Sequence, residues 1–127
     1  MSWVWINRAA LELLHGESLR EHGGAAGLRD EGLLESALAR SPNFAHYGEP
    51  DLFDLAASYG VGLAKNRPFV DGNKRAAFLS IGLFLYLNGR RLTATQAEAT
   101  LTMLSVAAGN VDEPTLARWL REHTAPR

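Results

Sequence analysis

Two segments of this chain are apolar on nearly every side, and that constrains its fold more than anything else in it. Residues 51–64 carry Leu52, Phe53, Leu55, Ala56, Ala57, Tyr59, Val61, Leu63 and Ala64, and residues 76–87 are as apolar. A helix of that kind has no face to give to water, so it has to lie inside a shell of other helices. The second segment, at 12 residues, is well short of the ~20 that a membrane span needs, and reads as a buried core helix. Joining the two is Asn66-Arg67-Pro68-Phe69-Val70-Asp71-Gly72-Asn73-Lys74-Arg75. Over residues 65–75 the four cations Lys65, Arg67, Lys74 and Arg75 oppose only Asp71, in a chain whose net charge is −1. Backbone N–H groups at a helix start point outward and the helix dipole favours an anion there. A cationic loop opening a buried helix therefore suits phosphate recognition, with Asp71 free to hold a divalent metal on that anion.

The remaining pattern supplies the shell. Apolar spacing at Ile6, Ala9, Ala10, Leu13 and Leu14 predicts a first amphipathic helix capped by Asn7. Gly23-Gly24 through Gly27 is a loop signal, and Asp30 caps a second helix that is expected to end near Arg40, because Pro42, Gly48 and Pro50 mark a connection. Asp51 caps the third helix and Asn88-Gly89 stops the fourth. Arg91-Leu92 is a brief extended piece, Thr93 or Thr95 starts a fifth helix to about Ala108, and Pro114 opens the last. No alternating run of strand length occurs, so the expectation is an all-α bundle of about six helices, one domain over residues 1–127.

Composition narrows the chemistry. Without cysteine, thiol catalysis and disulfides are excluded, and the four histidines (His15, His22, His46, His123) lack ligand spacing and read as surface or core residues. Met1-Ser2-Trp3-Val4-Trp5-Ile6 has neither a basic start nor a long apolar run, so no signal peptide is expected and the location is expected to be cytoplasmic, with no membrane partner. The near-neutral charge argues against direct nucleic-acid binding.

The loop resembles the mark of the Fic/Doc family, His-Pro-Phe-x-Asp/Glu-Gly-Asn-x-Arg between two central helices. Eight of the nine positions conform in Arg67-Pro68-Phe69-Val70-Asp71-Gly72-Asn73-Lys74-Arg75. Gly23 to Asp30, then Leu33-Leu34-Glu35-Ser36-Ala37, and Leu87-Asn88-Gly89 are similar to segments of the short Doc toxins, so the likeness covers essentially the whole chain. Enzymes of the family that transfer AMP tend to carry glycine at the position of Lys74 and an arginine at that of Phe78. Both departures resemble the Doc branch, whose activity is ATP-dependent phosphorylation of a threonine in the translation factor EF-Tu, which halts translation and growth.

The resemblance implies roles residue by residue. Asp71 would hold Mg²⁺ on the phosphates of ATP, and Gly72 would let the backbone approach them closely, where a Cβ would obstruct. Asn73, Lys74 and Arg75 would supply donors and charge to the phosphate oxygens. Lys65 and Phe69 would complete the nucleotide site, Phe69 as the loop's anchor in the core. Lys65 also reads as a plain charge at a helix C-terminus. Arg29 and Glu35 would border the site or form a surface ion pair.

One position departs. Arg67 stands where the family has its catalytic histidine. Histidine takes a hydroxyl proton near neutral pH, whereas arginine is not deprotonated in a protein. Loss of a general base typically costs ~10²–10⁴-fold in rate, so a catalytically impaired transferase is expected, through either an introduced or a natural change. The resemblance further implies a Phd-like antitoxin as partner, since no Ser/Thr-x-x-x-Glu-Gly/Asn inhibitory string occurs in the chain. AMP transfer and a non-catalytic protein that binds nucleotide or antitoxin are the alternatives.

Overall fold

The computed structural model describes residues 2–127. Met1, and with it the start of the segment read as lacking a signal peptide, lies outside them. Six helices form: α1 (Arg8–His22), α2 (Glu31–Tyr47), α3 (Leu52–Asn66), α4 (Asn73–Leu87), α5 (Gln96–Ala107) and α6 (Glu113–Glu122). Two three-residue strands, β1 (Arg90–Leu92) and β2 (Thr124–Pro126), pair antiparallel with Arg91 opposite Ala125. The helical bundle agrees with the all-α expectation. The small sheet goes beyond it, because three residues are too few to show an alternation and only the pairing itself defines them.

The centre is α3, packed between α2, α4 and α6. Every residue from Leu55 to Ala64 is buried, so the absence of a polar face in the sequence is matched by enclosure on all sides. Gly60 and Gly62 permit that closeness: a Cβ at Gly60 would stand 2.5 Å from Ile81 of α4. The fourth helix is less enclosed than its sequence suggests. Its buried residues are Ala76, Ala77, Ser80, Ile81, Phe84 and Leu85, while Phe78 and Leu79 face a cavity and Tyr86 is exposed.

The second helix also runs further than expected, passing through Pro42 to Tyr47. A proline deletes one helical hydrogen bond and crowds the preceding turn. Here the Ser41 hydroxyl donates to the Leu55 carbonyl at 2.7 Å in a buried site, and Ala45 packs on the core beyond the proline. Those contacts hold the helix through the missing bond. Arg8 then ties α1 to α2, donating to Glu12 at 2.5 Å, to Glu31 at 3.0 Å and to Glu35. Hydrogen bonds from its guanidinium to Glu12, Glu35 and Glu31 raise its pKa. Among the described residues no helix is long and apolar enough to cross a membrane.

Candidate functional site

The loop between α3 and α4 is built by its ends. At Arg67 the chain leaves α3 in the left-handed region, φ 50° and ψ 57°, the only described residue other than glycine with positive φ. Such a conformation costs an L-residue roughly 1–2 kcal/mol. Arg29 compensates: its Nε and Nη2 donate to the Arg67 carbonyl at 2.9 and 2.6 Å, and Nη2 also reaches the Asn66 carbonyl at 3.0 Å. A cation on the last carbonyls of a helix is also favoured by the dipole. The Arg29 and Asp30 amides donate to the Pro68 carbonyl, and the Val70 amide donates to Gly27, so residues 27–30 pair like a strand edge with the loop. Arg29 thus borders the loop, the first of the two readings given for it, and forms no ion pair among the described residues, while Glu35 pairs with Arg8.

Phe69 is buried, and the Asn73 side chain fixes its backbone from both sides. Asn73 Oδ1 accepts from the Phe69 amide at 2.9 Å, and Nδ2 donates to the Phe69 carbonyl at 2.9 Å. That amide is therefore a clamp on the loop, with one remaining N–H to offer outward. Gly72 adopts φ 73°, and a Cβ there would meet His15 Nε2 at 3.2 Å and Leu19 at 3.3 Å. The fold beneath the loop thus supplies a reason of its own for glycine here, one the sequence did not display.

Asp71 is exposed at the rim of a cavity of about 970 Å³. Its Oδ1 accepts from the Gly72 amide at 2.8 Å and its Oδ2 from the Ala25 amide at 3.3 Å. Gly24 allows the second contact, since a Cβ on it would stand 3.0 Å from that oxygen and 2.8 Å from Leu19. Each carboxylate oxygen keeps a lone pair. Arg67, Gly72, Asn73, Lys74 and Arg75 line the same cavity; Lys65 and Phe69 do not. Phe69 instead borders a second hollow of about 350 Å³ with Arg29, Arg67, Val70 and Asn73. Lys65 is an exposed charge in the last turn of α3.

The opening turn of α4 is uncapped. Gly72 offers no side chain, and the amides of Asn73, Lys74 and Arg75 have no acceptor among the described residues. Asn7, Asp30, Asp51, Thr95 and Asp112 each cap their helices with a side-chain oxygen. Arg67, Lys74 and Arg75 have no carboxylate within ion-pair distance among the described residues. Across the cavity, α1 contributes Leu14 and the acids Glu17 and Glu21, while α5 contributes an apolar wall that includes Ala99, Met103 and Leu104. No group of three or more His, Cys, Asp or Glu side chains gathers as a metal nest among the described residues.

Sequence reasoning missed His15, which was read with the other histidines as surface or core. It is buried, its Nε2 sits 2.8 Å from the Asp71 carbonyl, and its ring stacks on Phe69 with centroids 3.9 Å apart. A signal was present: His15 shares one helical face with Leu11, Ser18 and Leu19, so a polar ring lies on a buried stripe.

The family model described as the Fic/DOC family matches residues 5–85. The chain is 34% identical over 117 residues to the protein kinase doc of Escherichia phage P1, covering 91% of this chain and 92% of that protein. It is 45% identical over 75 residues to the toxin Doc of Mycolicibacterium smegmatis, covering 57% of each. With a matched loop, a matched bundle and a relative aligned over nearly its whole length, this chain belongs to the Fic/DOC family.

Proposed function

We propose that this chain is a Doc-type toxin of a toxin–antitoxin pair, whose cavity takes ATP with Mg²⁺ and whose reaction is phosphoryl transfer to a threonine of EF-Tu, impaired here by Arg67. The observation that carries the reading is the start of α4, where three amides without acceptors and three cations without ion pairs among the described residues face one cavity. A triphosphate supplies what that turn lacks. Mg²⁺ is commonly held by one or two carboxylates together with substrate phosphates and water, so a lone exposed Asp71 fits it without a protein cage. The metal would neutralise phosphate charge when bound. Lys74, Arg75 and the free amides would orient the same oxygens, and the Asn73 clamp would keep the turn in place.

Transfer breaks the bond from the γ-phosphorus to its bridging oxygen and forms one to the threonine oxygen, whose proton needs an acceptor. Arg67 offers none. Its added charge suits phosphate, so binding survives while turnover is impaired. Lys74 and Phe78, both on the cavity wall, favour phosphate over AMP transfer by the family pattern. The apolar wall of α5 beside a charged rim suits an amphipathic segment of a Phd-like antitoxin.

Isothermal titration of MgATP into this chain and into Arg67→His, followed by intact-mass analysis of EF-Tu incubated with each, tests the reading. Binding by both and a phosphate adduct with Arg67→His alone are expected, together with growth arrest on its induction. An AMP adduct would favour the rival transferase. A harmless Arg67→His chain that still binds MgATP would favour a non-catalytic binding protein, which Arg67 as it stands already suits.

A further inference from the structure

Under the motif loop lies a buried polar side chain for which phosphoryl transfer has no stated use. His15 is 4% exposed, and its Nε2 lies 2.8 Å from the Asp71 carbonyl. A carbonyl oxygen only accepts, so Nε2 carries a proton and donates. The ring stacks on Phe69 at 3.9 Å with an interplanar angle of 23°. The same nitrogen is 3.2 Å from where a Cβ of Gly72 would stand. One ring thus touches Phe69, Asp71 and Gly72, three of the residues that define the loop.

The Asp71 carbonyl and the Gly72 amide belong to one peptide plane. His15 holds the carbonyl end of that plane, and Asp71 Oδ1 holds the amide end at 2.8 Å. Rotation of this peptide would break both bonds together and swing the carboxylate that the Gly72 amide steadies. An imidazole is also a poor filler for a dry site unless its polar edge is bonded, whereas a phenyl ring would stack on Phe69 as well. What histidine adds over phenylalanine at this position is the hydrogen bond alone.

We propose that His15 is the positioning residue of the motif loop: by donating to the Asp71 carbonyl it sets the Asp71–Gly72 peptide plane, and through it the direction of the Asp71 carboxylate. Its consequence for ligand binding rests on the reading of the cavity as a MgATP site. Its consequence for the loop itself does not.

Two variants separate the parts of the contact. His15→Phe keeps the stack and removes the hydrogen bond, while His15→Gln retains a donor near the Nε2 position and removes the stack. Amide hydrogen exchange on the ligand-free chains is expected to rise about fivefold at Phe69 and Gly72 in His15→Phe, the equivalent of one lost hydrogen bond. Amides of α3 are expected to keep their protection, and His15→Gln is expected to restore the loop. Unchanged loop exchange in His15→Phe would overturn the proposal, as would an equal rise throughout α3, which marks loss of general packing. If His15→Phe does not fold, His15→Gln decides: parent-like protection at Gly72 supports the proposal, and lost protection there with an intact α3 overturns it. In a second arm, MgATP affinity is expected to fall about fivefold in His15→Phe, in step with the exchange. A parent chain that does not bind MgATP overturns the nucleotide reading, while the exchange comparison still decides for or against His15.

Discussion

The two innermost helices begin in opposite ways. At the start of α3, Asp51 and Asp54 form a reciprocal capping box, with the Asp54 amide 2.9 Å from Asp51 and the Asp51 amide 3.0 Å from Asp54. Arg121 of α6 then neutralises the pair, donating to Asp51 at 3.1 and 2.7 Å and to Asp54 at 3.2 Å. The Asp54 amide, both carboxylates and the guanidinium are thus paired within the fold. At the start of α4 the capping position is glycine, and among the described residues the first three amides have no acceptor and the nearby cations form no ion pair. One end stabilises the bundle; the other leaves positive charge and donors for something that is not part of the chain. Both have the same dipole, so the difference lies wholly in which side chains the sequence puts beside it.

The largest effect should come from emptying the open end of its charge. Replacing Lys74 and Arg75 together with alanine removes two cations that have no ion pair among the described residues. Charge-assisted hydrogen bonds are worth about 1.5–3 kcal/mol each, so MgATP affinity should fall by roughly 100-fold or more, with the melting temperature little changed. Arg121→Ala at the closed end should do the reverse, lowering stability and leaving the titration as it was. Equal behaviour of the two variants would erase the distinction between the ends.

Next in size is Gly72→Ala. A Cβ at φ 73° is in the left-handed region and would crowd His15 Nε2 at 3.2 Å and Leu19 at 3.3 Å. A loss of about 1–2 kcal/mol is expected, read as a fall of several degrees in thermal melting. Affinity for MgATP should weaken as well, because the displaced peptide is the one that carries the Asp71 carbonyl. A variant as stable as the parent would show that the loop has slack, and that His15 and Leu19 yield to the extra methyl.

Much of this contrast is legible in the sequence, though unevenly. Asn7, Asp30 and Asp51 announce their helices, and Thr95 is one of the two starts read for the fifth, because a cap is a local event, decided by one side chain and an amide three residues on. The absence of polar residues in 51–64 announces the central helix for a similar reason, since no other placement satisfies it. Contacts between distant segments are what remain hidden. Arg29 reads equally as a neighbour of the site or one half of a surface ion pair until α3 brings the Asn66 and Arg67 carbonyls to it, and His15 reads as a surface or core residue until the loop folds over it. Pro42 signals a break that Ser41 and Leu55, fourteen residues apart, prevent. Arg91-Leu92 reads as extended from the sequence and lies in β1, but its pairing with β2, from Arg90 opposite Pro126 to Leu92 opposite Thr124, has no local mark.

A smaller effect distinguishes the ends by acid. Burial pushes the Asp51 carboxyl up, but the Asp54 amide and the Arg121 guanidinium outweigh it, and its pKa lies below the ordinary value. Glu98 is held low by the Thr95 amide and hydroxyl, and Asp112 by the Thr115 hydroxyl and amide. A carboxylate with a lowered folded pKa contributes stability above its unfolded pKa, near 4, and loses that contribution as pH falls through the folded value. Asp51→Asn keeps a capping oxygen and removes the charge. Its stability should therefore decline less than the parent's between about pH 4 and pH 2, with the two converging at the acid end. Denaturant melts across that range measure it, and parallel curves for both chains would show that the Arg121 contact is too exposed to matter.

The smallest expected effect falls on Lys65, and it bounds the open end on the α3 side. Its position two residues before Arg67 places it among the loop's cations in the sequence, yet it is exposed and lies off the cavity wall. What a cation there can do is interact with the C-terminal carbonyls of α3, a contribution of about 0.3–1 kcal/mol at most when exposed and screened by salt. Lys65→Ala should thus leave MgATP affinity within about twofold of the parent and shift melting by a degree or two at low salt, a shift that fades as ionic strength rises. A tenfold loss of affinity would move the boundary of the phosphate site back across Arg67 and make the last turn of α3 part of it.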